Sequence, residues 1–600
     1  MKRMGKTTAA LLQIDGYRFY YSFLAGSNRI LENQSELNRI NVFPVNDGDT
    51  GTNLAATVRA VTRLVKPHRS YKITLNRIAE TALAGARGNS GIIFAQFLYG
   101  LSSETEDVPA VSFRQFAQSV RNSVKYVYEA LATPVEGTML TVIREWADYI
   151  YSQRDTSGDF VQSLLASSPT LERSLEATRE TLAVLARANV VDAGARGFVL
   201  FVKGILDFTQ AGNIRKVLKL KPETRMLPEN DIHIQEEVGL RYCTEAILKH
   251  CHADSASVRR LLEEHGDSVV VAGSDALRHV HVHTDDPAAL FHHLREFGTL
   301  TFQKADDMLR QSETVYRRKW KIALVTDSTC DLPRELIDRY QIHMQPIHIS
   351  FGENQYLDKV TLQPEQFYRL LDSEPHFPKT SQINEQSFVS LYSHLASHYD
   401  SIIAVHLTGH FSGTCHNSSK AAETISREFG KPVTVIDSKN LSGALGLIVL
   451  RMAQAIEAGM THRQVVEKTQ DWIRDTRIFV SVSTIKYMVK GGRVSHFRGL
   501  MARILNINPI ITMDPEGKSM VFGKAYSQQA NMDKVMAHVN EITAGRPVWN
   551  HIVLHAGNPS AAGWFSEKFR QLTGKEPVSV VEISPVIGAN AGLGAASVAF

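Results

Sequence analysis

Three times in its first third the chain runs a cluster of glycines and small polar residues straight into a long apolar segment: DGDTGTNLAATVRAV from Asp47, GARGNSGIIFAQFLYGL from Gly85 and VDAGARGFVLFVKGIL from Val191. A single junction of this kind is ordinarily a helix cap or a tight helix contact. Three of them can bring helix N-termini, with their unpaired N–H groups and positive dipole ends, onto one polyanion. The first junction adds two carboxylates, Asp47 and Asp49, which are hard oxygen ligands suited to magnesium. Gly48 and Gly51 let backbone approach a ligand closely, and Thr50, Thr52 or Asn53 can cap the helix. Taken alone, Asp-Gly-Asp is turn chemistry; its recurrence beside helix starts points to a nucleotide phosphate. The region lacks GxxxxGK[ST], and no strand precedes the motif, which argues against a Walker-type or Rossmann domain.

At 600 residues the chain has room for three or four domains, and 43% hydrophobic content with both charge signs interspersed is that of a soluble protein. A formal charge of +4 is small for this length, and with no basic block or RNA motif no nucleic-acid partner is expected. Cys243, Cys251, Cys330 and Cys415 are too scattered for a disulfide framework and suit a reducing compartment. Apolar runs too short to span a bilayer, and the absence of a signal-peptide core in MKRMGKTTAALLQIDG, complete the expectation of a cytoplasmic protein with no transmembrane segment. Transient contact with a membrane surface stays compatible with it.

Apolar residues at three- and four-residue spacing predict helices over 9–33, 53–65, 75–84, 91–102, 112–131, 138–152, 170–188 and 195–210, hence an all-α domain over 1–212. The basic, proline-bearing NIRKVLKLKPETRMLPEND predicts a linker over 213–235. Residues 236–312 read as a small α+β domain: GLRYCTEAIL, a helix around SVRRLLEEH, strands at DSVVVAGSD and HVHVHTDD, and a helix from Pro287. From 320 to 600, IALVTD, SIIAVHLT, VTVIDS and HIVLHAG alternate with helices, the pattern of an α/β unit with parallel strands. In the middle domain, strand alternation places His279, His281 and His283 on one face, where two histidines with a cysteine can bind zinc or simply form an exposed sheet surface.

The ordered motifs INVFPVNDGDTGTNL, GARGNSG, PVEGTMLTV and VDAGARG resemble the nucleotide-binding L-subunit domain of dihydroxyacetone kinases, and more closely its version in bacterial fatty-acid kinases. The resemblance implies an antiparallel helical barrel that binds ATP and magnesium at one end. It makes Asp47 and Asp49 the catalytic metal ligands, with Asn41 where the dihydroxyacetone kinases use a third aspartate. Thr50, Thr52, Asn53, Gly88, Asn89, Ser90, Gly91, Thr138 and Asp192 fall in the cofactor-binding motifs. Glu136 is equally a cap or a site residue, and Arg87 and Arg196 read as solvated or phosphate-facing loop charges without a catalytic role. The middle segment resembles that of fatty-acid kinases, in which a cysteine of YCTE and two histidines of VHVHT hold a metal; Cys243, His281 and His283 match, implying Zn2+.

Residues 320–600 resemble DegV-type fatty-acid-binding proteins through VTDSTCDLP, KTSQINEQSF, LTGHFSGTCHNSSKAA, VIDSKNLSGALG, VKGGRVS and ILNINPIITMDPEGK. That implies a two-lobed α/β unit with a long-chain fatty acid in an apolar tunnel. Thr380, Ser381, Ser412, Gly413 and Thr414 would hold its carboxylate, with Arg493 paired to the headgroup. Without the resemblance each hydroxyl reads as a turn or N-cap. The chain departs from the family at IGANAGLGA, with Asn590 where a histidine is expected and Leu593 in place of proline; an amide donates a hydrogen bond but carries no charge and shuttles no proton. The expected activity is phosphorylation of a fatty-acid carboxylate by ATP to an acyl phosphate, with a homodimer expected by resemblance. Two rivals are a dihydroxyacetone kinase-like enzyme acting on a small polar substrate, for whose covalent-histidine substrate domain no matching stretch is present, and a lipid-binding regulatory protein with a silent kinase domain.

Overall fold

The structure is a computed structural model that describes residues 10–42, 48–156, 158–211, 238–484, 486–492, 508–544 and 546–600. The expected linker, Asp47 and Arg493 lie outside the described residues. The chain divides into two compact units, residues 1–286 with 293–309 and residues 287–292 with 310–600.

The first unit opens with helices α1 (Gly16–Glu32), α2 (Gln34–Arg39), α3 (Thr50–Leu64), α4 (Tyr71–Gly85), α5 (Gly88–Ser103), α6 (Phe113–Ala130), α7 (Met139–Ser152), α8 (Phe160–Ala166), α9 (Ser168–Thr181), α10 (Ala183–Ala188) and α11 (Ala193–Ala211). Each boundary has a local cause. Asp15 caps α1 by accepting from Arg18 N–H at 2.9 Å, Ser112 and Gln115 form a capping box on α6, and a proline sits in the first turn of α9. The buried faces meet in an aromatic core in which Phe201 contacts Phe23 and Phe94, and Phe198 contacts Phe97 and Trp146. Periodicity locates the long helices. It misses α2 and α8, each under two turns, and the antiparallel pair β1 (Gln13–Asp15) and β2 (Ala110–Ser112), which takes three residues from the expected first helix. The expected 170–188 helix is broken at Leu182, whose backbone is extended.

The same unit carries a four-stranded antiparallel sheet, order β4-β5-β3-β6, from β3 (Tyr242–Lys249), β4 (Asp267–Gly273), β5 (Leu277–Thr284) and β6 (Thr299–Asp307), with the helix Ser255–His265 between β3 and β4. The sheet docks on the helices: Ala132 N–H donates to Val269 O at 3.1 Å, and Gly273 N–H to Gln96 Oε1 at 3.0 Å.

In the second unit, β7 (Ile322–Asp327), β8 (His343–Gln345), β12 (Ser401–His406) and β13 (Val433–Asp437) form a parallel sheet, order β13-β12-β7-β8. A small sheet joins β9 (His348–Phe351), β10 (Asn354–Leu357) and β11 (Lys379–Ser381). The third sheet corrects the expectation of parallel strands throughout. HIVLHAG supplies β17 (Ile552–His555), which pairs parallel with β18 (Val580–Glu582) but antiparallel with β19 (Ala596–Ala599). The same sheet continues antiparallel through β14 (Ile478–Ser481), β15 (Asn508–Met513) and β16 (Ser519–Ala525). The unit is therefore a two-lobed α/β structure with one parallel, one small antiparallel and one mixed sheet.

Candidate functional site

The glycine-rich junctions meet. Gly88, at φ +56°, lies so close to the Asn53 amide that a Cβ would overlap it, and a Cβ on Gly91 would stand 2.5 Å from Thr57 Oγ1, so the start of α5 is pressed onto the first turns of α3. A Cβ on Gly194 would lie 3.0 Å from Ser90 Oγ and 3.3 Å from Asp192 Oδ1, which brings the start of α11 to the start of α5. Asp192 Oδ1 accepts from Ala195 N–H at 2.7 Å and from Met139 N–H at 3.1 Å, seating α11 and α7 together. Four helix N-termini converge, one more than the repeated junctions predict. The fourth, at PVEGT, has Thr138 as its N-cap.

Asp49 occupies the N-cap position of α3 with no side-chain capping bond, so the expectation that Thr50, Thr52 or Asn53 caps the helix is not met. Thr52 is held by Asn38, which accepts from its N–H at 3.0 Å and donates to its hydroxyl at 3.0 Å. Thr50 and Asn41 are buried nearby. Burial pushes the Asp192 carboxyl up to about 6. Glu136 sits in a polar cluster with Tyr128, Thr141 and Arg144, and Arg196 pairs with Glu36 at 3.1 Å. Arg87 lies over the Phe302 ring at 4.2 Å. Asn89 Oδ1 is buried without a hydrogen-bond partner among the described residues, an acceptor suited to a ribose hydroxyl or an adenine amine. Side-chain-free cradles, converging N–H groups and a carboxylate fit a nucleotide phosphate with magnesium.

On the sheet, Cys243, His281 and His283 bring one ligand atom each to within 4.8 Å of one another. The histidine face is buried, which removes the reading of an exposed sheet surface. Burial holds His281 down to about 3, in the neutral form a metal requires, and its Nε2 has no partner among the described residues. One thiol and two imidazoles fit zinc.

In the second unit, Thr380, Ser381, Ser412, Gly413 and Asn590 line one cavity with Ile347, Leu407, Val586 and Ile587. Thr414 does not line it; its hydroxyl is 2.8 Å from Ser412 Oγ and holds the loop. The Asn590 amide lies against Gly491, where a Cβ would overlap its oxygen, so the first glycine of KGGRVS exists to admit this side chain. Sequence reasoning missed what fixes these loops. Asp327 Oδ2 accepts from Leu407 N–H at 2.9 Å and stands 3.2 Å from His406 Nδ1, while His406 Nε2 lies 2.9 Å from Ser418 Oγ. All three are fully enclosed, so the arrangement braces the Ser412 loop and exposes no nucleophile. A second buried knot joins the lobes: Asp331 pairs with Lys359 at 2.6 Å and accepts from Ser442 Oγ at 2.6 Å and Ser584 N–H at 3.2 Å, while Asp358 accepts from Ser328 Oγ at 2.6 Å and Val586 N–H at 3.3 Å. Only the short Asp-Ser and Asp-Leu-Pro motifs around Asp331 hinted at it.

Comparison with known proteins assigns three consecutive segments. Residues 44–207 match the DAK2 domain, 239–315 the FakA-like middle domain of fatty acid kinases, and 321–600 the DegV family. An uncharacterized protein of Staphylococcus saprophyticus is 31% identical over 317 residues, covering 51% of this chain and 57% of its own length. Protein YloV of Bacillus subtilis is 29% identical over 329 residues, 52% of this chain and 58% of its own. The chain thus spans less than two thirds of the length of these relatives. A fatty-acid-binding DegV-family protein of Thermus thermophilus aligns over 46% of this chain and 98% of its own at 26% identity and a TM-score of 0.43. The fatty-acid-binding DegV of Bacillus subtilis aligns over 47% and 99% at 25% identity and 0.44. No helix among the described residues is long and apolar enough to cross a membrane.

Proposed function

We propose that this chain, which joins a DAK2 domain, a fatty-acid-kinase-type middle domain and a DegV-family unit, transfers the γ-phosphoryl group of ATP to the carboxylate of a long-chain fatty acid held in its second unit. The observation that carries the reading is the meeting of four helix N-termini beside Asp49. Magnesium held by Asp47 and Asp49, with Asn41 as third ligand, would neutralise phosphate oxygens. The positive dipole ends of α3, α5, α7 and α11 favour the charge that spreads over the transferred group, and the cradles at Gly88, Gly91 and Gly194 let backbone rather than side chain meet it.

On the acceptor side, Thr380, Ser381 and Ser412 donate to the fatty-acid carboxylate, with Arg493 as its counter-charge. The carboxylate oxygen forms the new bond to phosphorus as the bond to the β–γ bridging oxygen breaks, leaving ADP and an acyl phosphate. A carboxylate nucleophile carries no proton at neutral pH, so transfer requires no base, and Asn590 needs only to orient the headgroup. The tail stays enclosed because exposing it is unfavourable by ~0.8 kcal/mol per CH₂. Linkage of both units in one chain raises the effective concentration of acceptor at donor. Zinc on Cys243, His281 and His283 would tie β3 to β5.

The test is incubation with ATP, magnesium and a labelled long-chain fatty acid, trapping acyl phosphate with hydroxylamine, beside Asp49→Ala and Asp47→Ala. Hydroxamate from the wild type and its loss in both variants is expected. Bound fatty acid with no hydroxamate would overturn the kinase in favour of a lipid-binding regulator, and transfer to a small ketose or triose would favour the dihydroxyacetone kinase-like rival.

A further inference from the structure

The middle sheet turns a chemically loaded face toward the helices. Strand side chains alternate, and the registers set Cys243 opposite His283 and Asp306, and Glu245 opposite His281 and Lys304, so all six share one face with His279 and Phe302. That face meets the opening of α5. Glu245 Oε1 accepts from Gly88 N–H at 2.6 Å, His279 Nδ1 lies 3.1 Å from Leu83 O, and Phe302 carries the Arg87 guanidinium. Glu245 therefore holds the first N–H of the very helix whose first turn carries Asn89, Ser90 and Gly91.

Directly across from Glu245, Lys304 pairs with Asp306 and lies within electrostatic reach of Glu245 and Asp49. Its side chain is 29% exposed. The two motif arginines are engaged otherwise: Arg196 with Glu36, and Arg87 on Phe302 and the Ala86 carbonyl. Helix ends contribute only partial charges, about half a unit each, against the several negative charges of a triphosphate. This wall adds a full cation, held between the carboxylates of Asp306 and Glu245.

We propose that Lys304 is a catalytic residue contributed by the middle domain, its ammonium contacting the terminal phosphoryl group of the nucleotide, with Glu245 as the positioning residue that fixes the α5 opening. The assignment rests on the phosphoryl-transfer reading. On it, the middle sheet is the second wall of the nucleotide site, and β6 supplies the charge that neutralises the group in flight.

The full chain is compared with Lys304→Met, Lys304→Gln, Lys304→Arg and Glu245→Gln. Lys304→Met is expected to lower kcat for hydroxamate formation by about 100-fold with ATP KM raised by no more than about 10-fold, and Lys304→Arg to recover part of the loss. Equilibrium binding of ATP and ADP, each with magnesium, needs no turnover. Wild type should favour ATP, and Lys304→Met should lose about 10-fold of that preference while fatty-acid binding stays unchanged. An ATP-over-ADP preference equal in wild type and in a folded Lys304→Met or Lys304→Gln protein overturns the assignment, whatever the acceptor proves to be. No hydroxamate from wild type together with a Lys304-dependent preference for ATP overturns the fatty-acid acceptor and leaves Lys304 in place. Glu245→Gln keeps an acceptor for Gly88 and should lower kcat less than Lys304→Met; the reverse order assigns the leading role to Glu245.

Discussion

In the helical unit the candidate site is a meeting of four helix starts, and the side chains around them seat those helices. The cavity of the second unit is lined instead by hydroxyls on a short strand and a loop, and the structure beneath braces them. A site made of backbone fails when geometry is disturbed, because every helix start is fixed by another. A site made of hydroxyls weakens one bond at a time.

Gly88→Ala should break the contrast most clearly. It forces a Cβ into the Asn53 amide at φ +56°, so a destabilisation of about 2 kcal/mol and a loss of transfer of at least ~100-fold are expected in melting and hydroxamate assays. Gly413→Ala is its milder counterpart. Its φ of −74° is ordinary and the end of Gln382, which lines the same cavity, has only to move aside, so fatty-acid affinity should fall by about 10-fold at most. Equal damage by both would dissolve the distinction.

Next in size, Cys243→Ser should reduce bound zinc, measured by atomic emission, from roughly one per chain to near background and lower the melting temperature. Zinc retained in full would place the metal elsewhere. Thr380→Val with Ser412→Ala should weaken fatty-acid binding by about 10-fold or more without altering ATP affinity, since each lost hydroxyl removes one bond to a charged headgroup. An equal loss of ATP affinity would contradict two separate sites.

The smallest effect concerns acidity. Asp192 has its pKa raised from 3.8 to about 6 by burial, so the neutral form is the one the fold prefers. The stability this contributes is full below about pH 4 and is lost as pH rises through about 6. Asp192→Asn keeps an oxygen for the two N–H donors and should flatten the pH dependence of melting across that window, on the order of 5 °C. An unaltered profile would show that the carboxyl titrates normally.

The backbone site was largely legible, because a glycine needed for close approach leaves its mark at one position: GARGNSG and VDAG announce Gly88, Gly91 and Gly194. The wall opposite was not. Glu245 is two residues beyond Cys243 and so on the same strand face, a signal present in YCTE, but its partner Lys304 sits in TLTFQKADD, whose alternation is too polar to stand out as a strand. Contacts between strands 59 residues apart leave no local pattern, as the Glu245–Lys304 pairing shows. The hydroxyls of the second site carried only turn chemistry, and their gathering into one cavity depends on buried pairs such as Asp327 with His406. The same limit explains HIVLHAG: strand character is local, whereas parallel or antiparallel pairing depends on neighbours far along the chain.

The knot around Asp331 has an evolutionary consequence. Its carboxylate is bound at once by a lysine, a serine hydroxyl and the backbone at Ser584, one residue before the helix Pro585–Ala591 that bears Asn590. Removing one partner of a buried ion pair costs about 3–5 kcal/mol, so the members can change only together. Descendants of this sequence would therefore explore new ligands through single replacements at Thr380, Ser412 or Asn590, while the frame that presents those positions stays locked to its ancestral solution.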